Sequence, residues 1–139
     1  MPAPDIIGIL ETSLYVADLR ASMAFYEQVF RFPVLYSDYR MCAMAVRPGQ
    51  VLLLFLKGAS AQASETPGGV VPSSDGSGHL HLAFAIAPEA LDDWEAWLTA
   101  CSIPLESHVN WPAGGTSIYF RDGDGHLLEL ATPGLWANY

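Results

Sequence analysis

The feature that most limits what this chain can fold into is a repeat. On either side of a middle stretch rich in Gly, Ser, Ala and Pro (58–78, GASAQASETPGGVVPSSDGSG), one order of elements reads twice. Residues 6–16 (IIGILETSLYV) alternate from Ile9 onward, with Leu10, Thr12, Leu14 and Val16 on one face and Glu11, Ser13 and Tyr15 on the other, as a strand requires. Asp18, a favoured N-cap, precedes LRASMAFYEQVF, whose Leu19, Met23, Tyr26 and Phe30 fall at helical spacing up to Arg31-Phe32-Pro33. Short strand-like runs follow at 34–37, 40–46 and 51–56, with Pro48-Gly49 turning into the last. Module one, residues 6–57, is therefore β-α-β-β-β.

The second half repeats that order. Residues 79–86 (HLHLAFAI) alternate strictly, with His79, His81, Ala83 and Ala85 on one face and Leu80, Leu82, Phe84 and Ile86 on the other. A helix from about Pro88 to Cys101 carries Leu91, Trp94, Leu98 and Cys101 on its apolar stripe. A strand at 105–109, a turn at 110–112 and a hairpin complete module two, residues 79–132, leaving a tail at 133–139. Glu11 overlies His81, and Leu53 overlies Glu129, when the halves are superposed. Residues 58–78 show no periodicity and read as a linker or mobile loop.

The closing hairpin, 114–132 (GGTSIYFRDGDGHLLELAT), turns at Asp122-Gly123-Asp124-Gly125, where glycine tolerates the positive φ of a tight reversal. Its second strand sets one carboxylate, Glu129, among Leu127, Leu128, Leu130 and Ala131, where an acid is costly without a partner. A calcium loop is not implied by the acidic turn, because further acids and flanking helices are missing.

Bulk properties narrow the function. At 139 residues, 51% hydrophobic and 12% aromatic, the chain can bury a real core as a single domain. Six basic residues against 15 acidic ones leave a net charge of −9, which repels a phosphate backbone and an anionic membrane surface, so nucleic acid and membrane are set aside as partners. No apolar run approaches the ~20 residues of a spanning helix, and MPAPDIIGIL lacks the marks of a signal peptide, so a cytoplasmic location is expected. Cys42 and Cys101 read as reduced, packed thiols.

If helices cover one side of each module's sheet, the opposite side carries Glu11, His81 and Glu129. Two carboxylates and an imidazole suit one divalent ion of the Mn²⁺, Fe²⁺, Ni²⁺, Co²⁺ or Zn²⁺ kind. Singly, two of them have plainer readings, Glu11 as a rim carboxylate and His81 as a hydrogen-bonded core histidine, whereas a sheet interior seldom holds an unpaired acid such as Glu129. His79 shares the face of His81, but two residues along a strand lie roughly 7 Å apart, so one ion cannot take both; His79 lines the pocket mouth or is solvated. His108 and His126 look like strand-end or turn surface residues.

The segments LETSLYVADLRASMAFYEQVF, GHLHLAFAI and GGTSIYFRDGDGHLLEL together resemble the vicinal oxygen chelate superfamily, which includes glyoxalase I, fosfomycin-resistance thiol transferases, ring-cleaving dioxygenases and bleomycin-binding proteins. The resemblance covers nearly the whole chain. It implies an α+β fold in which two βαβββ modules form a cupped mixed sheet, helices on the outer face, around a divalent metal. By position Glu11, His81 and Glu129 match the ligand places, and Glu129 also matches the residue that serves glyoxalase-like members as proton-transfer base. Leu53 departs from the four-ligand glyoxalase pattern, and Gly123 replaces a proline common in that turn. The resemblance further implies a homodimer whose sites draw ligands from two chains. The apolar tail 134–139 either supports such a contact or packs on its own sheet.

Function then reads as a metal-dependent enzyme of glyoxalase, thiol-transferase or dioxygenase type, holding a small substrate through vicinal oxygens and stabilising an enolate or oxyanion. The alternative is a bleomycin-resistance-type protein that sequesters a ligand without chemistry. If the face shared by Ser117, Tyr119 and Arg121 is the site side, Tyr119 hydrogen-bonds substrate and Arg121 attracts an anionic group. A surface position is the other reading for Arg121. Trp111 forms a lip over the pocket or packs against its loop.

Overall fold

The βαβββ order occurs twice in the computed structural model, which describes all 139 residues. The chain divides into two units, Met1–Ser77 and Gly78–Tyr139.

The first unit runs β1 (Glu11–Val16), α1 (Leu19–Phe30), β2 (Val34–Ser37), β3 (Met41–Arg47) and β4 (Gln50–Leu56). Its sheet has the order β1-β4-β3-β2, with β1 parallel to β4 and the other pairs antiparallel. β1 starts at Glu11 rather than Ile6 because β4 starts only at Gln50. The Val51 N–H meets the Leu10 carbonyl at 2.8 Å, and Ile6, Ile7 and Ile9 are left exposed. α1 is capped as its sequence predicts: the Asp18 carboxylate accepts the Ala21 N–H at 3.0 Å. It stops at Arg31, whose φ of 58° is left-handed, just before Pro33. The helix packs on β3 and β4, where Tyr26 and Val29 meet a core containing Leu14, Val16, Cys42, Met44, Leu52 and Leu54. Burial pushes the Cys42 thiol up to about 11, with a smaller push from Glu27, so it is inert at neutral pH.

The 58–78 stretch is not structureless. It holds a hairpin of β5 (Ser64–Thr66) and β6 (Gly69–Val71), strands too short to show a period in sequence. The chain then returns over β1, where the Tyr15 hydroxyl donates to Ser74 Oγ at 3.3 Å and Tyr15 stacks on Phe55 with ring centroids 5.8 Å apart.

The second unit runs β7 (His81–Ala85), a 3₁₀ turn at Pro88–Ala90, α2 (Leu91–Ala100), β8 (Ser107–Asn110), β9 (Thr116–Arg121) and β10 (Leu127–Ala131). Its order β7-β10-β9-β8 reproduces the first sheet. So does its register: His81 pairs with Leu127 as Glu11 pairs with Val51, and Ala85 with Ala131 as Tyr15 with Phe55. In the β9–β10 turn Asp122 Oδ1 accepts the N–H groups of Asp124 at 3.0 Å and His126 at 2.9 Å, so this acid serves the backbone. His126 is fully buried, contrary to the surface position its sequence neighbourhood implies. Its Nδ1 accepts the Leu80 N–H at 2.9 Å, giving a backbone donor at the entry to β7 the acceptor it needs. Both cysteines are free. No helix is long and apolar enough to cross a membrane.

Candidate metal and substrate site

Glu129 stands on β10, the strand between β7 and β9, opposite Ala83 on one side and Tyr119 on the other. It is only 5% exposed, so its carboxylate must find donors within the protein. Ser117 supplies one: its hydroxyl donates to Glu129 Oε2 at 2.5 Å, while Trp111 Nε1–H donates to Ser117 Oγ at 2.7 Å. This relay fixes the carboxylate and turns its other oxygen, Oε1, toward His81.

His81 is oriented from behind. Its Nδ1 lies 2.9 Å from the Leu127 carbonyl, which can only accept, so Nδ1 carries the hydrogen. Its other nitrogen, Nε2, faces Glu129 Oε1, 3.1 Å away. Two acceptors at that distance repel unless a proton or a metal cation joins them, and a histidine held through its other nitrogen by a carbonyl is how metal-ligating imidazoles are set. The donor chemistry of this pair fits a divalent ion. The Tyr119 ring lies along that of His81 with centroids 6.4 Å apart. Burial, followed by the Glu129 charge, raises the Tyr119 hydroxyl above its ordinary range, so it is a neutral donor at pH 7.

These groups form the polar end of a cavity of about 600 Å³. Its floor continues along β7 and β10 as Ala83, Ala85 and Ala131, and its walls are Trp111, Leu135, Trp136 and Tyr139. The tail thus covers its own sheet. Gly115 and Gly134 allow this: a Cβ on Gly115 would stand 2.7 Å from the Pro133 carbonyl oxygen, and one on Gly134 would stand 2.8 Å from the Gly114 carbonyl carbon. The Tyr139 hydroxyl ties the tail down by donating to the Ala131 carbonyl at 2.7 Å.

Of the residues singled out from sequence, His81, Glu129, Tyr119 and Trp111 line this one cavity. Arg121 and His79 do not. The Arg121 guanidinium is held by both oxygens of Glu106, at 2.7 and 3.0 Å, and by the Gly125 carbonyl at 3.1 Å. His79 instead lies against Gly125, whose added Cβ would come within 2.9 Å of its Nε2. Glu11 is exposed at the start of β1, in the other unit, and no three His, Cys, Asp or Glu side chains group closely enough within one chain to hold a metal. Sequence reasoning overlooked Ser117 and the tail as parts of the site. Period two along β9 already put Ser117 on the face of Tyr119, and the paired glycines marked the close approach of the tail.

Residues 8–130 match the model of the Glyoxalase/Bleomycin resistance protein/Dioxygenase superfamily. A metallothiol transferase, FosB, of Bacillus licheniformis is 30% identical over 128 residues, covering 91% of this chain and 76% of the relative. The crystal structure of a lactoylglutathione lyase from Agrobacterium tumefaciens superposes with a TM-score of 0.87 at 30% identity, covering 96% of this chain and 99% of that one. A fosfomycin resistance protein, FosX, of Listeria monocytogenes, complexed with Mn(II) and sulfate, shares the fold at 24% identity, with a TM-score of 0.68 and coverage of 94% of each chain. With its repeated module, its conserved strand register and a family match spanning nearly its full length, the chain belongs to the Glyoxalase/Bleomycin resistance protein/Dioxygenase superfamily.

Proposed function

We propose that this protein is a divalent-metal-dependent enzyme of the glyoxalase type, which takes a small substrate through two neighbouring oxygens and stabilises the enolate or oxyanion formed from it. The observation that carries the reading is His81 Nε2 facing Glu129 Oε1 at 3.1 Å, a pair that a divalent ion can join, with both side chains held from behind by hydrogen bonds. His81 and Glu129 would hold the ion, with Glu11 as third donor. Because one chain groups no three such side chains, Glu11 is taken to come from the partner in a homodimer. A bound divalent ion supplies Lewis acidity to a substrate oxygen.

The protein's own groups do the rest. Tyr119 donates a hydrogen bond to a substrate oxygen at the polar end of the cavity. Glu129 Oε1 is the carboxylate oxygen that Ser117 does not hold; one of its lone pairs would meet the ion and the other would accept a proton leaving a substrate carbon over Ala83. The relay from Trp111 through Ser117 keeps that oxygen in place while the proton moves.

The aromatic walls favour a second reading, a protein that sequesters an aromatic or cationic ligand without transforming it. Metal analysis of protein purified without chelator, with Mn²⁺ titration read by electron paramagnetic resonance, separates the two. Stoichiometric metal that is lost in His81→Ala supports the enzyme; a protein that binds aromatic ligands and takes up no metal is a sequestering one. Mixing Glu11→Ala with His81→Ala subunits tests the shared centre, since a mixed dimer regains one complete site and hence metal. Turnover is then sought with hemithioacetals, epoxides, catechols and phosphonates.

A further inference from the structure

In the first unit the sheet face opposite Leu52 and Leu54 carries a ring pair, Tyr15 on β1 and Phe55 on β4, stacked at 5.8 Å. The same two register positions in the second unit are Ala85 on β7 and Ala131 on β10. Two rings are replaced by two methyl groups, and the space they would fill is part of the cavity. Aromatic side chains stand around it: Trp111, Tyr139 and Trp136, the last 69% exposed at the mouth. A large exposed aromatic beside an alanine floor leaves a flat apolar slot without its filler.

Charge narrows what can enter. Glu129 is the carboxylate of the cavity, Tyr119 and Tyr139 have hydroxyls raised by burial and stay neutral, and no lysine or arginine lines it. The one guanidinium on this face of β9, Arg121, is engaged by Glu106. An anionic substituent in the slot would lose its hydration and gain no cation there.

We infer that the Ala85–Ala131 end of the cavity is an aryl subsite, which takes an uncharged, ring-sized apolar group of the substrate and refuses an anionic one such as a phosphonate. This assigns the substrate class of the site proposed above and rests on that reading for the polar end alone. A substrate with its two oxygens between His81 and Glu129 extends over Ala85 and Ala131, about 7 Å beyond Glu129 and about 13 Å beyond His81 along the strands, a reach that calls for a fused ring system rather than a single ring.

The test compares naphthalene-2,3-diol with catechol, which has the same oxygen pair and one ring fewer, by calorimetry under argon, on Mn²⁺-loaded and on chelator-treated protein. The diol is expected to bind at least about tenfold tighter than catechol, and the preference to fall below about threefold in Trp136→Ala, an exposed position whose truncation spares the fold. Equal affinities for the two diols overturn the subsite. So does methylphosphonate binding as tightly as naphthalene-2,3-diol to the metal-free protein. If the ring preference persists in protein that takes up no Mn²⁺, the subsite stands and the metal reading alone fails.

Discussion

The two modules share one pattern of hydrogen-bonded strands and differ in what stands on the face away from the buried leucines. Glu11, Ser13 and Tyr15 on β1 correspond in register to His81, Ala83 and Ala85 on β7. Leu53 and Phe55 on β4 correspond to Glu129 and Ala131, and Met41 and Ala43 on β3 to Ser117 and Tyr119. Where module one has Met41 and Leu53, module two has a hydroxyl hydrogen-bonded to a carboxylate; where module one has two stacked rings, module two has a cavity. Both ladders persist because their packing comes from the other face: Leu52 and Leu54 in one, Leu128 and Leu130 in the other, all fully buried. The lesson is a division of labour across the thickness of a strand. The apolar face holds the sheet, and the other is free to carry chemistry.

Substitutions that exchange residues between equivalent positions put this contrast to the test. Glu129→Leu makes module two resemble module one and should have the largest effect. Mn²⁺ affinity measured by electron paramagnetic resonance should fall by more than the ~100-fold typical of losing a supporting partner. Thermal unfolding should move little, since leucine suits a buried strand position and only the Ser117 hydroxyl loses its acceptor, a cost of about 1–3 kcal/mol. Retained metal binding would show that the ion is held elsewhere.

Ser117→Ala removes only the relay. It leaves Glu129 Oε2 and the Trp111 N–H without their partner, so Mn²⁺ binding should weaken about 10- to 100-fold. Ser117→Thr, which keeps the hydroxyl, should restore most of it; failure of both alike would mean that packing, not the hydrogen bond, was lost. Ala85→Tyr restores the module-one ring to module two. Calorimetry should show naphthalene-2,3-diol affinity reduced about tenfold or more, with Mn²⁺ affinity unchanged.

The smallest effect concerns Arg121 and Glu106. Hydrogen bonds from Arg121 hold the Glu106 carboxyl below its ordinary range. A depressed carboxyl contributes stability above its unfolded pKa and loses it as pH falls through the folded value. The melting-temperature difference between wild type and Glu106→Gln should therefore be small at neutral pH, as for an exposed pair, and vanish in acid. A difference that stays constant with pH would assign it to something other than this ion pair.

Much of this was legible before any coordinates. Asp18 announced the start of α1, and Arg31-Phe32-Pro33 its end, because caps are local chemistry. The alternation in 79–86 placed His81 and Ala83 on one face, and an acid among leucines marked Glu129. Other features depended on partners far along the chain. Arg121 shares the face of Tyr119, but Glu106, at the approach to β8, determines where its guanidinium goes. His126 looks like a turn residue, and its burial follows from the Leu80 N–H, which sequence places 46 residues away. The 64–71 hairpin escaped notice because three-residue strands have no readable period.

Period, caps and turns are properties of neighbouring residues, so the doubled βαβββ order, the register-equivalent positions and the face on which each chemically capable residue stands can be read from the chain alone. Which of those residues meet depended on the folded chain. It brought the Trp111–Ser117 relay to Glu129, drew Arg121 away to Glu106, and folded the tail over an alanine floor to make a cavity. Hydrogen-bond partners and enclosed volume are set by contacts between strands and loops, and local pattern carries no record of those distances.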